Sequence, residues 1–229
     1  MSIFLALPVI LLVGFIFGCI NGLSIVRFRI VPFIVTLATL FMGRGLGLFI
    51  SDTRAVNLPE SFLSIGSMKL VGIPLPIVIM MAVLLTLHLI LSHTTLGKQL
   101  YAIGNSQEKS RKAGIQVNRL LLIVYLISGL CAAIGGFVAI AQLGAISPSF
   151  GNQSEFTAIA AAVLGGTSLF GGRGGIFPGT FIGALLIQTI QNGLVIINAD
   201  PYLYPLITAA MIFLIVFIDS KKRTKLLGK

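Results

Sequence analysis

Six polar residues interrupt the long apolar runs of this sequence: Arg44, Gln142, Glu155, Gln188, Gln191 and Asn192. Polar side chains inside such runs are costly and normally face protein or water. Gln188 and Asn192 stand four apart, hence on one face of a helix. Their amides can meet the hydroxyls of a sugar-like solute or bond across to a neighbouring helix. Neither role makes or breaks a covalent bond. The sequence has no CxxC, no His/Cys cluster and no HExxH, so no metal, cofactor or catalytic residue is expected. It also lacks GxxxxGK[ST], so any ATP hydrolysis belongs to a separate subunit. His88 reads as a packed or interfacial residue. Nothing resembles a proton relay.

A second constellation is built from small residues. Ala158 to Gly175 reads AIAAAVLGGTSLFGGRGG, with Gly179 and Gly183 beyond it. Small side chains let helix backbones approach closely in lipid, where packing drives association. Gly165 and Gly166 fit such packing, or a moving interface beside a solute path. Thr167 and Ser168 can satisfy backbone groups or touch a polar solute. Gly171 to Gly175 predicts a sharp turn.

The third constellation is His93 to Asn118, HTTLGKQLYAIGNSQEKSRKAGIQVN. Leu96 to Ile103 predicts a short amphipathic helix. Gly104-Asn105-Ser106 is a turn with Asn105 or Ser106 as N-cap. Gln107 to Ala113, including Glu108, Lys109, Arg111 and Lys112, makes a second, charged helix stopped by Gly114. An ordered element of this kind suits docking of a soluble partner; the plainer reading is a solvated basic loop.

These elements must be held by membrane helices. Hydrophobic residues make up 56% and charged residues only 10% of the 229, against about 25% charged in soluble domains. The mean hydropathy is +1.05. Lipid is therefore an expected partner. The net charge of +10 lies at the ends of apolar runs and forms no continuous surface, which excludes nucleic-acid binding. Spans are expected near 3–25, 33–50, 74–92, 119–141, 155–171, 176–196 and 203–219. The fold class is thus all-α, a polytopic transmembrane bundle of about seven spans in one domain over 1–229. The fifth span is short and ends in glycines, which suggests a tilted, broken or re-entrant segment. Ile3 to Phe17 lacks a basic start and a cleavage site and reads as a retained helix. Cys19 and Cys131 read as two separate buried thiols, although a disulfide between them stays open.

Orientation follows from the basic residues. With a cytoplasmic C-terminus, four inner regions hold Arg27 and Arg29; Lys98, Lys109, Arg111, Lys112 and Arg119; Arg173; and Lys221, Lys222, Arg223, Lys225 and Lys229. These are thirteen of the sixteen Lys and Arg. Outside lie Arg54 and Lys69, and Arg44 is within a span. Met1 then falls outside without an export signal, which leads to the expectation that earlier helices are missing from this chain.

Three groups of residues carry a resemblance. They are Val31 to Thr39 (VPFIVTLAT) with Arg44-Gly45, Thr95-Leu96-Gly97 with Tyr101 to Asn105 (YAIGN), and Ala158 to Gly172. Together they resemble the permease family of ABC importers for monosaccharides, ribose permeases among them. Branched-chain amino-acid permeases are similar in layout. The resemblance implies alternating access in a dimer of permeases in the bacterial inner membrane. A periplasmic sugar-binding protein would deliver the solute, and cytoplasmic ABC ATPase subunits would drive the cycle. It implies that about Gly104 to Gly114 couples to the ATPase. The family carries about ten spans and an earlier Gly-Gly-Ile-Asp-Leu-Ser-Val-Gly segment that this chain lacks. The expectation is therefore that this chain, given a matching ATPase and binding protein but not that N-terminal segment, inserts without supporting ATP-driven sugar uptake, and that supplying the segment restores it. Other readings are a permease for amino acids or another small polar solute, and a non-transporting remnant.

Overall fold

The computed structural model describes residues 3–70, 72–169, 171–200 and 202–227. Met1, Phe170, Pro201 and Lys229 lie outside the described residues, as do the side chains of Lys221, Lys222, Arg223 and Lys225. The described chain is mostly helical: α1 Ile3–Phe28, α2 Pro32–Ser51, α3 Glu60–Ser67, α4 Leu75–His93, α5 Thr95–Asn105, α6 Gln107–Lys112, α7 Val117–Leu143, α8 Ser154–Leu164, α9 Phe181–Ile196 and α10 Leu203–Leu227. Four two-residue strands, β1 Val56–Asn57, β2 Lys69–Leu70, β3 Ile73–Pro74 and β4 Ala145–Ile146, sit in the loops.

Each of the seven expected spans contains a helix, although the fifth is helical only as far as Leu164. Five of them are long and apolar enough to cross a membrane: Leu5–Phe28, Pro32–Ser51, Leu75–His93, Val117–Leu143 and Ile176–Ile196. Ser154–Leu164 and Leu203–Leu214 are apolar but shorter. At 1.5 Å per residue, α8 covers about half of a ~30 Å hydrocarbon core. It stops well before residue 171 because Gly166 takes a φ of +91°. There Gly166 N–H bonds Val163 O at 2.9 Å and Thr167 N–H bonds Ala162 O at 3.0 Å, the paired bonds of a Schellman stop. The sixth run opens as a widened turn, Ile176–Thr180, with Phe177 extended. Pro178 has no N–H to give there, and the regular helix begins at Phe181. Pro32 opens α2 at its first position, where its missing N–H costs nothing.

The chain divides into two compact units. The first comprises Met1–Val83 and Gln116–Phe150. In it α1 lies along α7. A Cβ on Gly14 would stand 2.6 Å from Ala133 Cβ, and one on Gly18 would stand 2.7 Å from the Tyr125 carbonyl. Only hydrogen fits, so the backbones touch, as small residues permit in lipid. On α2, Thr39 Oγ1 lies 2.8 Å from Asn21 Oδ1 of α1. Phe62 of α3 meets Phe137 of α7 edge-on at 6.4 Å. β1 pairs antiparallel with β4, Val56 opposite Ile146. Cys19 and Cys131 are free, half-buried thiols.

The second unit comprises Leu84–Ile115 and Gly151–Lys229. Its core joins Ala160, Ala161 and Ile187, with Ile212 of α10 against them. Large apolar residues such as Phe49 (82% exposed) and Tyr202 (89%) stand outside both cores. Such an apolar exterior suits lipid rather than water.

Candidate functional site

The α5–α6 segment is ordered by caps at every break. Thr94 Oγ1 accepts from Gly97 N–H at 3.4 Å and opens α5. Gly97 is tight on α4: a Cβ there would lie 2.8 Å from Leu91 Cα. Ser106, rather than Asn105, caps α6, its Oγ accepting from Lys109 N–H at 3.3 Å. Gly114, with φ +81°, closes α6: Gly114 N–H bonds Arg111 O and Ile115 N–H bonds Ser110 O, both at 3.0 Å. This is a second Schellman stop. Glu108 in the first turn and Lys109, Arg111 and Lys112 in the last oppose the helix dipole with the right signs. Lys112 and Glu108 pair at 2.7 Å, both largely exposed, an arrangement of small energetic weight. Asn105, Gln107, Glu108, Lys109, Arg111, Lys112, Ala113 and Gly114 are exposed, whereas Ser110 is buried. A charged, capped helix is thus presented outward on an anchored base.

The base is the glycine-rich turn. Gly104 at the end of α5 abuts Gly171 and Gly172 backbone to backbone. A Cβ on Gly104 would lie 3.0 Å from Gly172 Cα, and one on Gly172 would lie 2.8 Å from Asn105 Cγ. Gly171, Gly172 and Gly174 have φ of +86°, +74° and +146°, conformations that side chains disfavour. Tyr101 OH donates to Gly174 O at 2.7 Å. Thr167 packs under Gly174, where a Cβ would meet its Oγ1 at 2.7 Å. Ser168 N–H bonds Arg173 O at 3.1 Å and closes the turn. The two loops assigned to one membrane face by charge therefore touch. In the other unit, two loops assigned to the opposite face pair through β1 and β4.

Below the turn, α8 and α9 cross on small residues. A Cβ on Gly165 would lie 2.6 Å from Thr180 Cα, and one on Gly183 would lie 2.8 Å from Gly165 N. Thr167 and Ser168 thus hold the turn that meets Gly104 and Asn105, and Gly165 packs on Thr180 just before that turn. Gln188 and Asn192 take no part in this contact. They are exposed on α9 and bond each other, Nε2 to Oδ1, at 3.1 Å, rather than reaching another helix. His88 packs edge-on against Phe177 at 6.1 Å. Among the described residues, no three His, Cys, Asp or Glu gather as metal ligands.

Two features escaped the sequence reading. The α1–α7 contact was signalled by Gly14, Gly18 and Gly22 at intervals of four and by Gly129 with Ala133. The Tyr101–Gly174 bond spans 73 positions and had no local signal.

The family described as branched-chain amino acid transport system / permease component matches residues 1–216. The ribose import permease protein RbsC of Haemophilus influenzae is 36% identical over 231 residues, covering 98% of this chain and 71% of that protein. The D-allose transport system permease protein AlsC of Escherichia coli K12 is 38% identical over 209 residues, 91% of this chain and 64% of AlsC. The L-arabinose transport system permease protein AraH of the same strain is 35% identical over 205 residues, 89% and 62% respectively. No solved structure matches. With its apolar helices and this match along most of its length, the chain belongs to the permease-component family, as a multi-pass inner-membrane transport subunit and not an enzyme.

Proposed function

We propose that this chain, as one permease domain over 1–229, is the transmembrane subunit of an ABC importer that moves a monosaccharide of the ribose type. The supporting observation is the identity of 35–38% to permeases named for ribose, D-allose and L-arabinose. Cytoplasmic ATPase subunits, an extracytoplasmic sugar-binding protein and a second permease copy complete the machine. Residues Gly104 to Gly114 dock the ATPase from the cytoplasmic side, and the C-terminus lies on that side too. What favours this docking is the geometry of α6: charged, exposed, capped at both ends and seated on a backbone contact. A rocking ATPase pushes on α6. Gly104, Asn105 and Tyr101 pass the displacement to the turn carrying Gly165, Gly166, Thr167 and Ser168, and so to the α8–α9 hairpin. Gln188 and Asn192 stand further along α9, available to the solute path or to helix packing.

The test is uptake of labelled ribose, D-allose, L-arabinose and leucine by cells carrying the complete importer that this chain belongs to, with its ATPase and binding protein. ATP-dependent accumulation of at least one of the sugars is expected. Accumulation of leucine alone would replace this reading with the amino-acid one that the family's description names.

A further inference from the structure

A cavity of about 460 Å³ lies along α1 and α7, with Thr36 near the start of α2 on its wall, entirely within the first unit. Its size falls in the ~300–1,000 Å³ range of small-molecule sites. The wall is mainly apolar, broken by Asn21, Thr36, Tyr125 and Ser128. Among the described residues, the Tyr125 and Ser128 hydroxyls make no hydrogen bond. Asn21 uses only its Oδ1, towards Thr39, and its amide N–H groups are unused. No buried polar side-chain atom among the described residues is left unpaired, so the unused groups on half-buried Asn21 and Tyr125 open onto accessible space. Thr36 aims its own proton at the Pro32 and Phe33 carbonyls, 3.1 Å away, and offers an acceptor oxygen.

Unused polar groups within membrane helices are costly unless something polar visits them. The wall holds donors, an acceptor and the ring of Phe17, but no charged side chain. A sugar offers hydroxyls to the first two and a C–H face to the ring. An amino-acid zwitterion would bring two charges with no counter-charge to meet them, at a large desolvation cost. The geometry points to this cavity as a transit site for a neutral, polyhydroxylated solute of monosaccharide size, with Asn21, Tyr125 and Ser128 holding its hydroxyls. This inference rests on the importer function proposed above and names where the sugar passes.

The test uses the importer assembled with its ATPase and binding protein, with Cys19 and Cys131 changed to Ser and Ser128→Cys as the reporter. Alkylation of that thiol by a small neutral maleimide is expected to slow roughly threefold or more with saturating transported sugar, chosen from ribose, D-allose and L-arabinose, as occupancy of the site requires. Leucine should leave the rate unchanged. Tyr125→Phe, which removes one hydroxyl and keeps the ring, should lower sugar uptake several-fold at unchanged membrane abundance. An importer that still moves a sugar, with a thiol that is unreactive or unprotected, would overturn the cavity assignment and leave the sugar function standing. Protection by leucine together with leucine uptake would overturn both.

Discussion

In the α1–α7 seam, Gly14, Gly18 and Gly129 sit inside regular helices, and their only task is to leave room for another backbone. At the junction of α5 with the glycine turn, Gly171, Gly172 and Gly174 must also take positive φ. The seam runs over many turns. The junction is a few backbone atoms and one 2.7 Å hydrogen bond from Tyr101. Close packing that is repeated along a helix cannot shift without losing many contacts together, because packed interiors are not continuously deformable. A small contact with one directional bond can tighten, tilt or release. The comparison teaches that the same residue type builds a long fixed frame in one unit and a small, adjustable contact in the other, the contact proposed above to transmit the ATPase's motion.

The largest effect should come from the frame. Gly129→Leu forces a side chain into the backbone of α1, where a Cβ alone would lie 3.1 Å from Gly18 Cα. Overpacking there should cost ~3 kcal/mol, read as a marked fall in thermal midpoint and folded yield in detergent. An unchanged midpoint would end the distinction between the regions. Next, Gly172→Ala at φ +74° carries local strain of ~1–2 kcal/mol. Membrane abundance should stay near normal while uptake falls roughly tenfold. A parallel loss of folded protein would make the junction part of the frame. Tyr101→Phe removes only the bond to Gly174, worth ~1 kcal/mol, and should reduce uptake by a smaller factor without moving the thermal midpoint. The smallest change in stability is expected for Glu108→Ala. Its exposed pair with Lys112 is worth under ~1 kcal/mol, so the midpoint should hold.

Local signals were legible in the sequence, and distant pairings were not. The stop at Gly114 and a cap at the Asn105–Ser106 turn each depend on residues within one turn. Their reading needed only capping chemistry. The fifth run, by contrast, was expected to reach residue 171, and its helix ends at Leu164. The charge asymmetry assigned loops to faces without showing that Gly104 meets Gly172. Gln188 and Asn192 were correctly placed on one helix face, but not that they bond each other. Asn21 was overlooked because it stands near the end of an apolar run. Its meaning depends on Thr39, Tyr125 and Ser128, which reach it only through helix pairing. The frame glycines carried a visible interval of four, yet the partner of α1 is a non-local choice.

The central claim is that α6 meets the ATPase on the cytoplasmic face. The most direct measurement is the labelling of Lys109→Cys in a chain with Cys19 and Cys131 changed to Ser. An impermeant maleimide should leave intact cells unlabelled. It should label inverted vesicles stripped of the ATPase, and the restored ATPase should block that labelling. Labelling of intact cells, or equal labelling of vesicles with and without the ATPase, would contradict the account.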